Sequence, residues 1–381
     1  MAWLPEKSNF DDEQNRIFDE ILEEDKASWW IKGYAGTGKT MLLAHLAIDY
    51  ISQDIDCAYV TYTHALKNLV IEAASSMGLD STRLPVYTVD SLNAIGGMHD
   101  VILVDEVQDL PNKKIKKLLE HGKRFIFAGD LNQSIFLNSA KPESIKKLLG
   151  NPKIVELRDI YRFPQAISYA SHLVYPEAES LSNALVDDIE NSCVSLVSCG
   201  SVMKEVNWVY KQALKESRVG SPSAILFSKH EELQKFVNKL CLSEQKEAPP
   251  YVEKFQFGNG LDYGPTNSHL KRQGLSLMYF GGSGGGELKH ATMNKIVLLM
   301  TLHSAKGLEF DSVFMPFMDD GRLPCPYPPL RNKDEWQRRF IYVGLTRTKL
   351  NFYASYTGNI SQYLESLTDT SYDEYLKYLE V

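Results

Sequence analysis

The segment Gly33-Tyr34-Ala35-Gly36-Thr37-Gly38-Lys39-Thr40 constrains this chain more than any other. It fits the pattern G-x-x-x-x-G-K-[ST], follows the apolar run Trp29–Ile31 and opens a stretch, Lys39–Ile51, with helical spacing. A strand that feeds a helix through such a loop predicts a phosphate-binding turn. Glycines let successive backbone N–H groups close around phosphate oxygens, and the helix N-terminus adds positive potential there. Gly33, Ala35, Gly36, Thr37 and Gly38 would line the cradle, Lys39 would reach the β- and γ-phosphates, and the Thr40 hydroxyl would hold Mg²⁺.

A second feature completes the first. Val101-Ile102-Leu103-Val104 predicts a buried strand, and Asp105 and Glu106 emerge at its C-terminal end, where open α/β sheets bind ligands. Asp105 would hold the Mg²⁺ through water. Glu106 would polarise the water that attacks the γ-phosphate, a task requiring a carboxylate within one hydrogen bond of that water. A lone Asp-Glu after a strand reads as a solvated acidic pair; beside a phosphate loop it reads as part of a nucleotide site.

The same rhythm runs through the chain. Trp29–Lys32, Ala58–Thr61, Val101–Val104, Arg124–Ala128 and Lys153–Leu157 read as strands, with helical spacing at Lys39–Ile51, Ala65–Met77, Lys113–His121 and Pro142–Leu149. Val194–Val197, Ala224–Phe227, Ile296–Leu302 and Val313–Met315 repeat the strand pattern, and Val202–Glu216, Glu231–Leu240 and Asp334–Leu345 the helical one. Such alternation predicts parallel sheets covered on both faces, hence an α/β fold. With 381 residues there is length for two or three domains, and a boundary near Leu157 divides 1–157 from 158–381. The segment 243–290 reads as loop-rich, and Gly281–Gly286 as a flexible connector or hairpin tip. Tyr372, Tyr375, Leu376 and Leu379 share one helical face, which predicts a final helix packed on the second domain.

Composition excludes several classes. No apolar run approaches the ~18–20 residues that span a bilayer. The first ten residues lack a signal architecture, so the chain reads as cytoplasmic, with no membrane partner. Five cysteines, odd in number and never spaced as CxxC, argue against a disulfide framework or a zinc site. A net charge of −8 argues against a general basic surface for duplex DNA. It leaves room for a local groove that grips a single strand by stacking.

Further boxes follow in a telling order. Asp105-Glu106-Val107-Gln108-Asp109 resembles the DExQD box of UvrD/Rep-like superfamily 1 helicases. Gly129–Ser134 resembles that family's motif III, Tyr161-Arg162 motif IV, Thr301–Phe310 motif V and Tyr342–Arg347 motif VI. The resemblance runs from Phe10 to about Thr348 and implies two RecA-like parallel-sheet domains of the P-loop NTPase type, flanking an ATP cleft. It implies that Gln14 reads the adenine edge and Tyr161 stacks on the base. Gln133 would sense the γ-phosphate, Arg162 and Arg347 would be fingers on the transferring phosphoryl group, and Gly307 and Glu309 would lie near γ-phosphate and ribose. Outside this context Gln14 and Arg347 would read as ordinary surface residues.

For a nucleic-acid track, Tyr62-Thr63-His64 resembles motif Ia and Thr88–Leu92 motif Ib, while His303 lies in the motif V turn. Tyr62 and Phe136 would stack bases and Thr63 would bond phosphate, although core packing suits both rings as well. Two departures weaken this grip: Phe136–Ser139 lacks the family's Trp and Arg, and Asp90 stands where His is usual. Short spacings between the first motifs leave little room for the first accessory subdomain of larger relatives; a second would fall within 243–290. The implied activity is an ATP-dependent, Mg²⁺-requiring translocase or helicase on single-stranded DNA, 3′-to-5′, with RNA the second substrate candidate. The alternative is an ATP-gated scaffold subunit activated by a protein partner.

Overall fold

Short continuous apolar runs such as Val101–Val104 present apolar side chains to both faces of a sheet and must be covered on both sides, and the chain does this twice. The computed structural model describes residues 6–78, 83–135, 139–161, 164–177, 192–254, 261–281, 288–322, 333–368 and 376–381. It divides into two compact units, Met1–Arg162 and Phe163–Val381.

The first unit runs α1 (Asp12–Glu23), β1 (Trp29–Gly33), α2 (Lys39–Ser52), β2 (Cys57–Thr61), α3 (His64–Ser76), β3 (Val86–Thr88), β4 (His99–Val104), α4 (Asn112–Leu119), β5 (Gly122–Gly129), α5 (Pro142–Leu148) and β6 (Lys153–Leu157). Its sheet has the order β3-β2-β4-β5-β1-β6, and each pairing is parallel. Period-two alternation sends Trp29, Ile31, Tyr59 and Leu103 to one face, against Ile17, Leu42 and Leu46 of α1 and α2. Trp30, Val60, Ile102 and Val104 go to the other face, against Ile115 and Leu118 of α4. Each such side chain, fully buried, contributes about 1.5–3 kcal/mol.

In the second unit come α6 (Gln165–Val174), β7 (Cys193–Ser198), α7 (Val202–Glu216), β8 (Ala224–Phe227), α8 (His230–Ser243), β9 (Glu253–Lys254), β10 (Leu261–Asp262), α9 (Gly264–Arg272), β11 (Leu277–Tyr279) and α10 (Leu288–Met293). They are followed by β12 (Val297–Thr301), α11 (Leu302–Ala305), β13 (Phe310–Met315), α12 (Lys333–Leu345), β14 (Thr348–Tyr356) and β15 (Leu376–Glu380). Seven strands form a parallel sheet in the order β11-β12-β8-β13-β14-β7-β15. Phe227, Phe236, Leu240, Leu299 and Phe314 anchor one core face.

Two expectations change here. Where the end of the expected terminal helix would fall, Leu376–Glu380 is a strand, paired with β7 from Leu376↔Val194 to Glu380↔Ser198. The reason is non-local. The edge of β7 offers backbone partners, and Val381 N–H still donates to Ser198 O at 2.9 Å. Tyr372 and Tyr375 lie outside the described residues.

The segment 243–290 contributes a helix and an edge strand rather than loop alone. The Asn267 side chain pairs with both backbone groups of Tyr279, Nδ2 donating to its carbonyl at 3.0 Å and Oδ1 accepting from its N–H at 2.8 Å. That closes part of the open edge of the sheet. Gly281 sits at φ +128°, where a Cβ would lie 2.4 Å from Cβ of Ser304, so no larger residue fits. Residues 282–287, where the connector was expected, lie outside the described residues. Cys57, Cys193, Cys199 and Cys241 are buried free thiols. Among the described residues no helix is long and apolar enough to cross a membrane.

Candidate functional site

Because β4, β5 and β1 are neighbours in the first sheet, their C-terminal ends bring three loops together. The loop after β1 is the phosphate segment. Gly36 and Gly38 adopt φ +83° and +84°, left-handed values that a side chain would resist. Lys39 Nζ donates to the carbonyls of Gly33 at 2.9 Å and Tyr34 at 2.5 Å, tying its ammonium to the loop it follows. Thr37 Oγ1 donates to Tyr34 O at 3.1 Å, and a Cβ on Gly33 would meet that hydroxyl at 2.6 Å.

Asp105 follows β4 and is 1% exposed. Its Oδ1 accepts from the Glu106 backbone N–H at 2.9 Å; its Oδ2 accepts from Thr40 Oγ1 at 2.7 Å and from Tyr59 Oη at 3.2 Å. Burial pushes its carboxyl above the ordinary range, and the Glu106 charge adds to this; Thr40 and Lys39 pull the other way. Burial likewise raises the Tyr59 hydroxyl, with the Asp105 charge next, so Tyr59 is a neutral donor.

Glu106 adopts φ +56°, a left-handed conformation uncommon for a residue with a side chain. Its Oε2 accepts from Gln108 Nε2. Gln108 is itself wedged: a Cβ placed on Gly129, at the end of β5, would lie 2.2 Å from Gln108 Oε1. The β5 loop supplies Gln133, whose Nε2 donates to Asp130 Oδ2 at 2.9 Å. Asp130 is raised by burial and partly restored by the Lys39 charge.

Gln14, in α1, is buried. It belongs to a capping box, its backbone N–H donating to Asp11 Oδ1 at 2.7 Å and its Oε1 accepting from Asp11 N–H at 3.3 Å. Its Nε2 donates to Thr37 O at 3.2 Å, which ties α1 to the phosphate loop. Tyr161 is half-exposed; its Oη donates to Asp11 Oδ2, and its backbone N–H donates to Gly36 O at 3.0 Å. Gln14 and Tyr161 thus meet the loop at Gly36–Gly38, and Thr40 just beyond it meets Asp105.

In the second unit, Gly307 adopts φ +77°, and Glu309 pairs with Lys349 at 3.4 Å. Arg347, at 1% exposure, is no surface arginine; Nη1 reaches Leu308 O at 3.5 Å. The His303 ring lies 5.7 Å from that of Phe340. Of the residues assigned to a strand, Thr63 caps α3 by accepting from Leu66 N–H at 3.2 Å, and Tyr62 is partly buried against the Trp30–Val60–Val104 cluster. Burial also raises the Tyr62 hydroxyl, followed by the Asp109 charge. Arg162 and Phe136 lie outside the described residues. Reading the sequence missed Tyr59, Asp130 and the Gln108–Gly129 wedge. Gln108 stood in plain view within the DExQD box, whereas nothing local marks Tyr59.

This arrangement defines a class: two RecA-like α/β units of the P-loop NTPase type, the first carrying the phosphate loop and its acidic partner. Comparison with known proteins narrows the class. The AAA domain family matches residues 9–188, and the UvrD-like helicase C-terminal domain family matches residues 283–359. The ATP-dependent DNA helicase Rep of Buchnera aphidicola is 44% identical over 71 residues, 19% of this chain and 11% of Rep. The ATP-dependent DNA helicase UvrD2 of Mycobacterium bovis is 38% identical over 74 residues, 18% of this chain and 11% of UvrD2. The chain thus spans about a tenth of the length of these relatives. Among solved structures, S. cerevisiae Dbp5 bound to RNA and ADP BeF3 has a TM-score of 0.56 at 11% identity, covering 97% of this chain and 89% of that one, a likeness of fold alone. In these segments the chain is similar to the UvrD-like helicase C-terminal domain and to Rep and UvrD2.

Proposed function

We propose that this chain is an ATP-driven motor that moves along single-stranded nucleic acid, with DNA its substrate and 3′-to-5′ its direction. The observation that carries the reading is the meeting of Thr40, Asp105 and Glu106 at the mouth of the glycine loop. The residues fit the two groups such a motor needs. Left-handed Gly36 and Gly38 shape a cradle for phosphate oxygens, and the Thr40–Asp105 oxygen pair is a hard-donor set of the kind Mg²⁺ takes. Bound Mg²⁺ neutralises phosphate charge.

The chain's own groups supply the rest. Lys39 exchanges its two loop carbonyls for phosphate oxygens. Glu106, oriented by Gln108, accepts the proton of the attacking water. Gln133 answers to the γ-phosphate. Arg162 and Arg347 stabilise charge on the phosphoryl oxygens during hydrolysis. Gly307 and Glu309 serve the γ-phosphate and ribose. The track runs over Tyr62, Thr63, Phe136 and His303, by ring stacking and by hydroxyl bonds to phosphate. The names of the relatives, DNA helicases, support DNA over RNA and give no support to a scaffold activated by a partner.

The test is steady-state ATP hydrolysis by the full chain with single-stranded DNA, duplex DNA and single-stranded RNA. Single-stranded DNA should raise kcat most. A rate indifferent to all three would overturn the track reading.

A further inference from the structure

The Asp105 carboxylate offers about four lone-pair sites, two on each oxygen. Three are already taken. Glu106 N–H occupies one on Oδ1, and the hydroxyls of Thr40 and Tyr59 occupy both on Oδ2. Thr40 belongs to the phosphate loop. Tyr59 does not: it lies in mid-strand on β2, opposite Leu103 of β4, fully buried among Leu42, Leu46 and Leu103. Phenylalanine would fill that core equally well. A buried phenolic hydroxyl is costly unless it is hydrogen-bonded, and this one meets its need on Asp105.

We infer that Tyr59 is a positioning residue that keeps Asp105 out of direct contact with the metal. With Tyr59 and Thr40 both donating to Oδ2, the lone pair left on the carboxylate is on Oδ1, next to the Glu106 backbone. From there Asp105 accepts from the water shell of a bound ion, which Mg²⁺ sheds reluctantly. Thr40 remains the direct protein ligand, because its oxygen can face the ion while its proton stays on Asp105. Removing the Tyr59 hydroxyl frees a lone pair on Oδ2, the oxygen that also meets Thr40. Ions that exchange water easily then gain a second direct ligand, and preference shifts from Mg²⁺ toward Mn²⁺. The inference rests on the nucleotide-site reading above, deepens it, and concerns a residue that reading does not use.

The test counts water rather than turnover. Mn²⁺·ADP is bound to the full-length chain, and broadening of its electron paramagnetic resonance lines in ¹⁷O-water gives the number of coordinated waters. Tyr59→Phe should lose about one water, as Asp105 enters the inner sphere, and bind Mn²⁺·ADP about tenfold more tightly relative to Mg²⁺·ADP. Asp105→Asn in the otherwise native chain should leave the count unchanged. A gain of one water in Asp105→Asn would show that Asp105 already binds directly, and would overturn the inference even if Tyr59→Phe failed to fold. An unchanged count in Tyr59→Phe would overturn it as well. If the native chain gave no nucleotide-dependent Mn²⁺ signal, or Thr40→Ala kept the full signal, the nucleotide-site reading would fall and the inference with it. The outcomes therefore separate the two claims.

Discussion

A single methyl group at Gly129 tests how the Glu106 carboxylate is held. In Gly129→Ala the new Cβ would lie 2.2 Å from Gln108 Oε1 and 3.0 Å from Val107 Cγ1. Neither neighbour has room: Gln108 is 1% exposed and Val107 is fully buried. Overpacking of this kind costs about 1–3 kcal/mol. The escape open to Gln108 is to swing away, which breaks its bond to Glu106 Oε2, and a hydrogen bond to a charged group contributes about 1.5–3 kcal/mol. The two costs overlap, because paying the second relieves the first, so the net loss should be near 2–3 kcal/mol. For a unit the size of Met1–Arg162 that lowers the melting midpoint by about 4–12 °C. Displacing the Glu106 carboxylate by about 1 Å should cost about a hundredfold in kcat. Nucleotide affinity should stay near native, since Lys39 and the glycine loop are untouched.

The assays are thermal melts followed by circular dichroism, phosphate release at saturating Mg²⁺·ATP, and titration with a fluorescent ADP analogue. The decisive comparison adds Gln108→Ala. That substitution alone should slow hydrolysis similarly; in its presence Gly129→Ala should do little further harm, a coupling of about 1 kcal/mol or more. Full additivity, or a Gly129→Ala chain with native melting point and kcat, would refute the wedge.

Glu106→Gln should reduce kcat by at least about a thousandfold while leaving ADP affinity intact, because the amide keeps the shape but cannot accept the water's proton; near-native phosphate release would reject Glu106 as base. In the second unit, Glu205 is fully buried and accepts from Phe317 N–H and Ser355 Oγ, each at 2.8 Å, holding Phe317 at φ +64°. Burial, with Asp319 adding, pushes its carboxyl from the ordinary 4.5 up to about 6. The folded chain therefore holds this proton more tightly than the unfolded chain. Its contribution is full below about pH 4.5 and falls by about 2 kcal/mol as pH rises through 6. Glu205→Gln should flatten that part of the denaturant-midpoint profile; identical pH profiles for the two proteins would contradict the assignment.

What could be read from the sequence was what is written locally. The phosphate loop and the Val101–Glu106 strand end are set by residues adjacent in the chain, and their elements form where the spacing put them. Strands whose existence depends on a distant partner were not legible. Leu376–Glu380 is a strand because β7 has a free edge, and its apolar residues fit a helical stripe equally well. Thr348–Tyr356 opens with Lys349 and Asn351 and carries no clean alternation at its start. Within the site, Thr63 carries a second local signal: a threonine just before a helical run is a cap, and it caps α3. Tyr59 and the Gln108–Gly129 wedge join residues 46 and 21 positions apart, by contacts no spacing rule encodes.

The motor reading turns on arginines that complete the phosphate site begun at Gly33–Thr40. Single-turnover phosphate release from Arg162→Ala, with single-stranded DNA present, tests it most directly. The rate should fall by at least about a thousandfold, the scale of an arginine that stabilises a transferring phosphoryl group, with fluorescent-ADP affinity unchanged. A native rate from that chain would mean that ATP is hydrolysed without help from Arg162.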